Sequence, residues 1–130
     1  MDKLLDKAIE THGSHFDVAN IIHAHYKNKY RVINDRWEML KDEEWHYMEN
    51  ANELYINISI GIFDFLKEKS SDMLNRAKVA SNLIDSDVLK EKSKIIDKIA
   101  INCKMVNYKQ ALIKECKPLF TVKMQNTTKK

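Results

Sequence analysis

Apolar residues recur at steps of three and four over most of this chain, and the recurrence gives way to a different pattern between about residues 30 and 49. Leu4, Leu5, Ala8 and Ile9 share one face and predict an opening helix over 2–10. Thr11-His12-Gly13-Ser14 breaks it, and Ser14 is placed to cap the next helix. From His15 to about Lys27, Phe16, Ala19, Ile22 and Tyr26 form a second stripe. After Asn50-Ala51-Asn52 the helical period returns with Leu54, Ile58, Ile62, Phe65 and Leu66, running to about Lys69. Ser70-Ser71-Asp72 carries capping residues and predicts a break, after which Met73, Ala77, Ala80 and Ile84 continue as another helix. Asp85-Ser86-Asp87 is the expected cap of the following helix, with Val88, Ile95, Ile96, Ile99 and Cys103 inward. Asn107 is the expected cap of a last short helix bearing Ala111, Leu112 and Cys116, which Pro118 ends.

The intervening stretch reads differently. Tyr30-Arg31-Val32-Ile33 is aromatic and β-branched, and Asn34-Asp35 is a turn signal. Arg36–Leu40 and Trp45–Glu49 then predict a β-hairpin turning at Asp42-Glu43, with Leu40 opposite Trp45, Glu38 opposite Tyr47 and Trp37 opposite Met48. One face holds Leu40, Trp45 and Tyr47, the other Trp37, Met39 and Met48. Large apolar groups on both faces predict a hairpin sandwiched by the rest of the protein, with both tryptophans buried. A lone hairpin is marginal, so helices must support it. The expected fold is mainly α: a helical bundle with one small β-hairpin, a single domain over 1–120, and a flexible basic tail over 121–130.

Composition narrows the chemistry. Only two glycines (Gly13, Gly61) and one proline occur in 130 residues, so there is no Gly-rich phosphate loop. No apolar run approaches the length of a membrane span, and the start lacks a secretory pattern, so an intracellular protein with no membrane partner is expected. The charge is uneven: residues 1–60 carry 7 Lys+Arg against 11 Asp+Glu, and residues 61–130 carry 15 against 8. Lys90, Lys94 and Lys98 recur every fourth residue and line one helix ridge, a pattern that suits a phosphate backbone. The plainer reading, a solvated outer face, takes precedence because Glu91 and Asp97 dilute the field.

Other candidates resolve into structure. His12 and His15 flank Gly13, and His23 and His25 point to different sides of a helix; neither pair has a partner motif for a metal. Cys103 and Cys116 lie on apolar stripes and read as buried thiols. Asp42-Glu43-Glu44 reads as a solvated turn. Exposed aromatics of the hairpin would stack on bases, but the core has the prior claim on them. No cofactor, metal ligand or catalytic residue is expected, and the chain is not expected to be an enzyme.

The order of features resembles a known arrangement. His15-Phe16-Asp17-Val18-Ala19 leads into a helix ending in Tyr26-Lys27-Asn28-Lys29-Tyr30, followed by Trp37 and Trp45 with Leu40 between. Leu54 precedes Ile58-Ser59, and Ile113-Lys114-Glu115-Cys116 precedes Leu119-Phe120. This series resembles the helical region just before the motor in virus-type primase-helicases, the poxvirus and giant-virus replication proteins with a superfamily 3 helicase, over about residues 15–120. The resemblance implies a non-catalytic, collar-like connector in viral DNA replication, in the host cytoplasm. It would assemble with a helicase or primase, form homo-oligomers and touch DNA weakly. Three positions depart from the family pattern: Glu43-Glu44 stands for its His-Arg, Tyr55 for its Arg, and Glu38 for an aromatic residue. Each change removes cationic or aromatic surface. The alternative is a stand-alone nucleic-acid-binding protein using the lysine ridge and tail.

Overall fold

The sheet has three strands, β1 (Tyr30–Ile33), β2 (Arg36–Lys41) and β3 (Glu44–Tyr47), in the order β1-β2-β3 and antiparallel throughout. The hairpin is therefore part of a meander. Two-residue turns join the strands, and Asn34, Asp35, Asp42 and Glu43 all have φ between 52° and 67°. Consecutive left-handed residues are what a tight hairpin turn requires, and Asn and Asp tolerate them without glycine. The register follows the expected pairing, with Leu40 opposite Trp45 and Glu38 opposite Tyr47. The Met48 N–H donates to the Trp37 carbonyl at 3.0 Å.

Around the meander lie helices α1 (Asp2–Glu10), α2 (His15–Tyr26), α3 (Asn52–Asn57), α4 (Phe63–Lys78), α5 (Leu83–Asn102) and α6 (Val106–Phe120). A π-turn at Ile58–Ile62 joins α3 to α4. The computed structural model describes residues 1–123. Ser14 caps α2 as expected, its hydroxyl accepting from the Asp17 N–H at 3.2 Å. In the loop before it, Gly13 has φ +84° and sits against Ile99, where a Cβ would come within 2.8 Å.

The sheet differs from the expected sandwich. Tyr30, Val32, Trp37 and Met48 face the core and are buried, whereas Leu40 and Tyr47 on the opposite face are exposed and Trp45 is half-buried. The reason is in the third strand. Adding β1 to the hairpin's edge puts Arg31 and Ile33 on the outer face, where Arg31 covers Trp45 and makes a second layer unnecessary. Phe120 accounts for the buried face: its ring lies 5.4 Å from that of Trp37, 6.4 Å from Tyr30 and 4.9 Å from His23.

Helix boundaries differ where tertiary contacts outweigh local signals. No break occurs at Ser70-Ser71-Asp72, because Ser70 is buried and its hydroxyl lies 2.7 Å from that of Ser93 on α5. That cross-helix partner satisfies the hydroxyl, which otherwise favours a cap. α5 begins one turn earlier than expected, capped by Asn82, whose side chain accepts from the Asp85 N–H at 2.8 Å. Val88 and Ile84 consequently point outward. α6 starts at Val106 rather than after Asn107, and Pro118 does not end it. The proline costs one bond to the Lys114 carbonyl near an exposed helix end, and burying Phe120 outweighs that loss. Phe16, assigned to the α2 stripe, is exposed, while Val18 and Ile21 are buried in its place.

The expected tail begins in order: the Val122 N–H donates to the Val32 carbonyl at 2.8 Å, extending the sheet by a short parallel bridge at Thr121. Residues 124–130, including the remainder of that tail, lie outside the described residues. Among the described residues no helix is long and apolar enough to cross a membrane.

Candidate functional site

Lys90, Lys94 and Lys98 are all exposed on the outer face of α5, as the spacing requires. None pairs with a carboxylate among the described residues, whereas Lys67 on α4 takes Asp97 at 2.9 Å. Asp97 is thus partly neutralised and dilutes the ridge less than its position suggests. Glu91, Lys94, Lys98, Ile95 and His12 line a shallow groove of about 230 Å³. Among the described residues the ridge is a row of ammonium groups without ion-pair partners, with Glu91 beside it.

The second surface is the outer face of the meander. The Arg31 guanidinium lies 4.2 Å from the Trp45 ring centre and forks onto the Glu38 carboxylate, with Nε and Nη2 both at 2.7 Å. Glu38 therefore holds the arginine that covers Trp45. Arg36 stacks on Tyr47 at 4.4 Å, and Tyr47 is 56% exposed. Such stacks contribute about 0.5–1 kcal/mol at exposed sites and leave Tyr47 an accessible flat ring. Leu40, Trp45 and Tyr47 thus form part of a mixed surface, while Trp37 belongs to the core.

The third surface is the turn between α4 and α5. Val79 is 82% exposed, Leu83 81% and Ile84 75%, and Val88 adjoins them. Arg76, Val79, Ala80, Asp85, Val88 and Leu89 bound a groove of about 440 Å³ there. Several large aliphatic side chains exposed together at one tip mark a contact surface more often than a free one.

The remaining candidates are internal. Cys103 and Cys116 are fully buried, and burial pushes both thiols up to about 12, far from a reactive thiolate. His15 packs edge-on against Tyr108, His23 against Phe120 and His25 against Phe65. Burial lowers the pKa of His23, with help from Lys27, and lowers that of His25. No group of three or more His, Cys, Asp or Glu among the described residues is placed to hold a metal. Tyr30 donates to the Glu53 carboxylate at 2.7 Å, and burial with that bond holds its phenol above the ordinary range.

Sequence reasoning missed one polar cluster. Lys109 is buried, three residues before Leu112 on the inward stripe of α6, and its ammonium meets Ser59 at the π-turn at 2.7 Å. A lysine in an apolar stripe was a readable signal; its partner, 50 residues earlier, was not.

The segments that carry the resemblance come together around α2, β1 and α6. The Cys116 thiol lies 4.0 Å from the Ala19 carbonyl, and Phe120 joins His23, Tyr30 and Trp37. No protein-family model matches the chain, and no curated protein matches it significantly, so the resemblance rests on those residues alone.

Proposed function

We propose that this chain is a non-catalytic helical module of the kind that precedes the motor in virus-type primase-helicases, serving assembly with a helicase or primase. The observation that supports this reading is the meeting of residues quoted from distant segments in one core: Ala19 with Cys116, and Phe120 with Tyr30 and Trp37. The exposed apolar tip of α4 and α5 gives the module a face for its partner.

The test is sedimentation of the chain alone and mixed with a superfamily 3 helicase motor from the same source, with and without DNA. The expected result is a complex or a homo-oligomer that does not require DNA and that Leu83→Asp with Ile84→Asp abolishes. The stand-alone reading has its own support in Lys90, Lys94 and Lys98, which pair with no carboxylate among the described residues. It would win if the chain ignored the motor and bound duplex DNA through those lysines. In that case changing all three to Gln would flatten the slope of log affinity against log salt by about 2–3.

A further inference from the structure

Two lysine side chains converge on Ser59. Lys109 Nζ lies 2.7 Å from Ser59 Oγ and 4.0 Å from the Tyr55 ring centre. Lys104 Nζ donates to the Ser59 carbonyl at 2.9 Å and lies 4.1 Å from the Phe63 ring centre. Ser59 lies inside the π-turn at Ile58–Ile62 that joins α3 to α4. Lys109 is only 8% exposed, yet neither lysine has a carboxylate partner among the described residues. An ammonium has three donors, and the Ser59 hydroxyl takes one from Lys109. A buried cation normally has a counter-charge, since desolvating it alone is unfavourable. Here a hydroxyl and a π face stand in for one.

The surroundings reinforce the positive field. α6 begins at Val106, directly after Lys104 and Met105, with no side-chain cap and no acidic residue in its first turn. Its free N–H groups add the positive end of a helix dipole. Tyr55 also lines a groove of about 420 Å³ with Asn50, Asn52, Gln110 and Ile113, a wall of neutral amides beside one aromatic ring. Amide side chains read base edges and an aromatic ring stacks on them. Lys109 brings its ammonium to the face of the same ring from α6.

We infer that Lys104, Lys109 and Ser59 form a phosphate-binding niche, with the groove beside Tyr55 receiving the attached base. Lys109 is the fixed charge at the floor, and Lys104, which is exposed, closes on the phosphate from the rim. The phosphate belongs to a nucleotide unit, either free or in a single strand. The niche is separate from the lysine ridge and from the assembly role proposed above, and it stands or falls without them.

Fluorescence anisotropy with a labelled oligothymidylate of about 12 nucleotides tests this at about 50 mM salt, with dTMP and pyrophosphate as competitors. Saturable binding is expected, weakened about tenfold or more by Lys104→Gln and further by adding Lys109→Met. Each lysine should remove about 0.7 from the salt slope, the value for single strands. Lys104→Arg should restore binding, and the Lys90, Lys94, Lys98 triple Gln variant should retain it. Competition by dTMP at low millimolar concentration assigns the site to free nucleotide, and displacement only by unlabelled strand assigns it to a strand. Thermal melting checks that the Lys109→Met variant folds; Lys104→Gln, at an exposed residue, carries the test if it does not. Absence of saturable binding of the labelled strand, or affinity unchanged in Lys104→Gln, would overturn the inference.

Discussion

The meander and the α4–α5 helical hairpin use their apolar residues in opposite ways. In the meander the aromatic residues that mark the sequence, Tyr30 and Trp37, turn inward onto Phe120, and the outer face is dressed with stacked arginines. In the helical hairpin the buried face sets Leu66, Ile96 and Ile99 beside the hydroxyl pair of Ser70 and Ser93, while Val79, Leu83 and Ile84 stand in solvent at its tip. The meander region is built to hold the fold together. The helical hairpin's tip and lysine ridge lie in solvent, and under the proposed readings they are the surfaces a partner would meet.

Substitutions give this contrast numbers. Trp37→Ala should cost about 3–5 kcal/mol in chemical denaturation, as large core aromatics do. Trp45→Ala, one face away, should cost about 1 kcal/mol beyond its lost partial burial, because its main partner is the Arg31 stack. Equal costs would mean that the sheet's two faces are not distinguished as described.

Between the helices, Ser70→Ala alone should cost about 1–3 kcal/mol by leaving the Ser93 hydroxyl buried without its partner. The Ser70→Ala, Ser93→Ala double variant should recover part of that loss, since no buried hydroxyl then remains unmatched. Additive losses would show that the pair acts through packing and not through its hydrogen bond.

His23 and His25 supply a pH test of the α2 contacts. Both have folded pKa values below 6.5, so the unfolded chain takes up protons first as pH falls. Stability should be full above 6.5, decline as pH drops through that value, and level off below the folded pKa values. His23→Phe with His25→Phe should shrink the decline. An unchanged profile would assign the acid sensitivity to other groups.

The smallest effect is expected at the tip. Leu83→Asp or Ile84→Asp should change stability by no more than about 0.5 kcal/mol, as exposed positions do, while abolishing partner assembly. A large loss of stability would show that the tip is part of the core.

The helices α1 and α2, the Ser14 cap and the hairpin register were legible because each depends on neighbours in the chain, though Phe16 was placed on the wrong face of α2. Spacing of three and four fixes a face, alternation by two fixes a register, and Asp42-Glu43 fixes a turn wherever the segment sits. The ridge of Lys90, Lys94 and Lys98 followed from the same local rule. What the chain order could not decide was every choice between a local signal and a distant partner. Ser70 carries the chemistry of a cap and becomes a buried bridge because Ser93 lies opposite. Pro118 carries the signal of a stop, yet the helix continues so that Phe120 reaches Tyr30 and Trp37. Trp45 and Trp37 look alike in sequence, and which one enters the core depended on β1 and α6 arriving on particular sides. The Ser59, Lys104 and Lys109 cluster is the extreme case: its members lie 45 and 50 residues from Ser59. Only packing brings those charges together, because the free energy that places them is the burial of the apolar stripes around them.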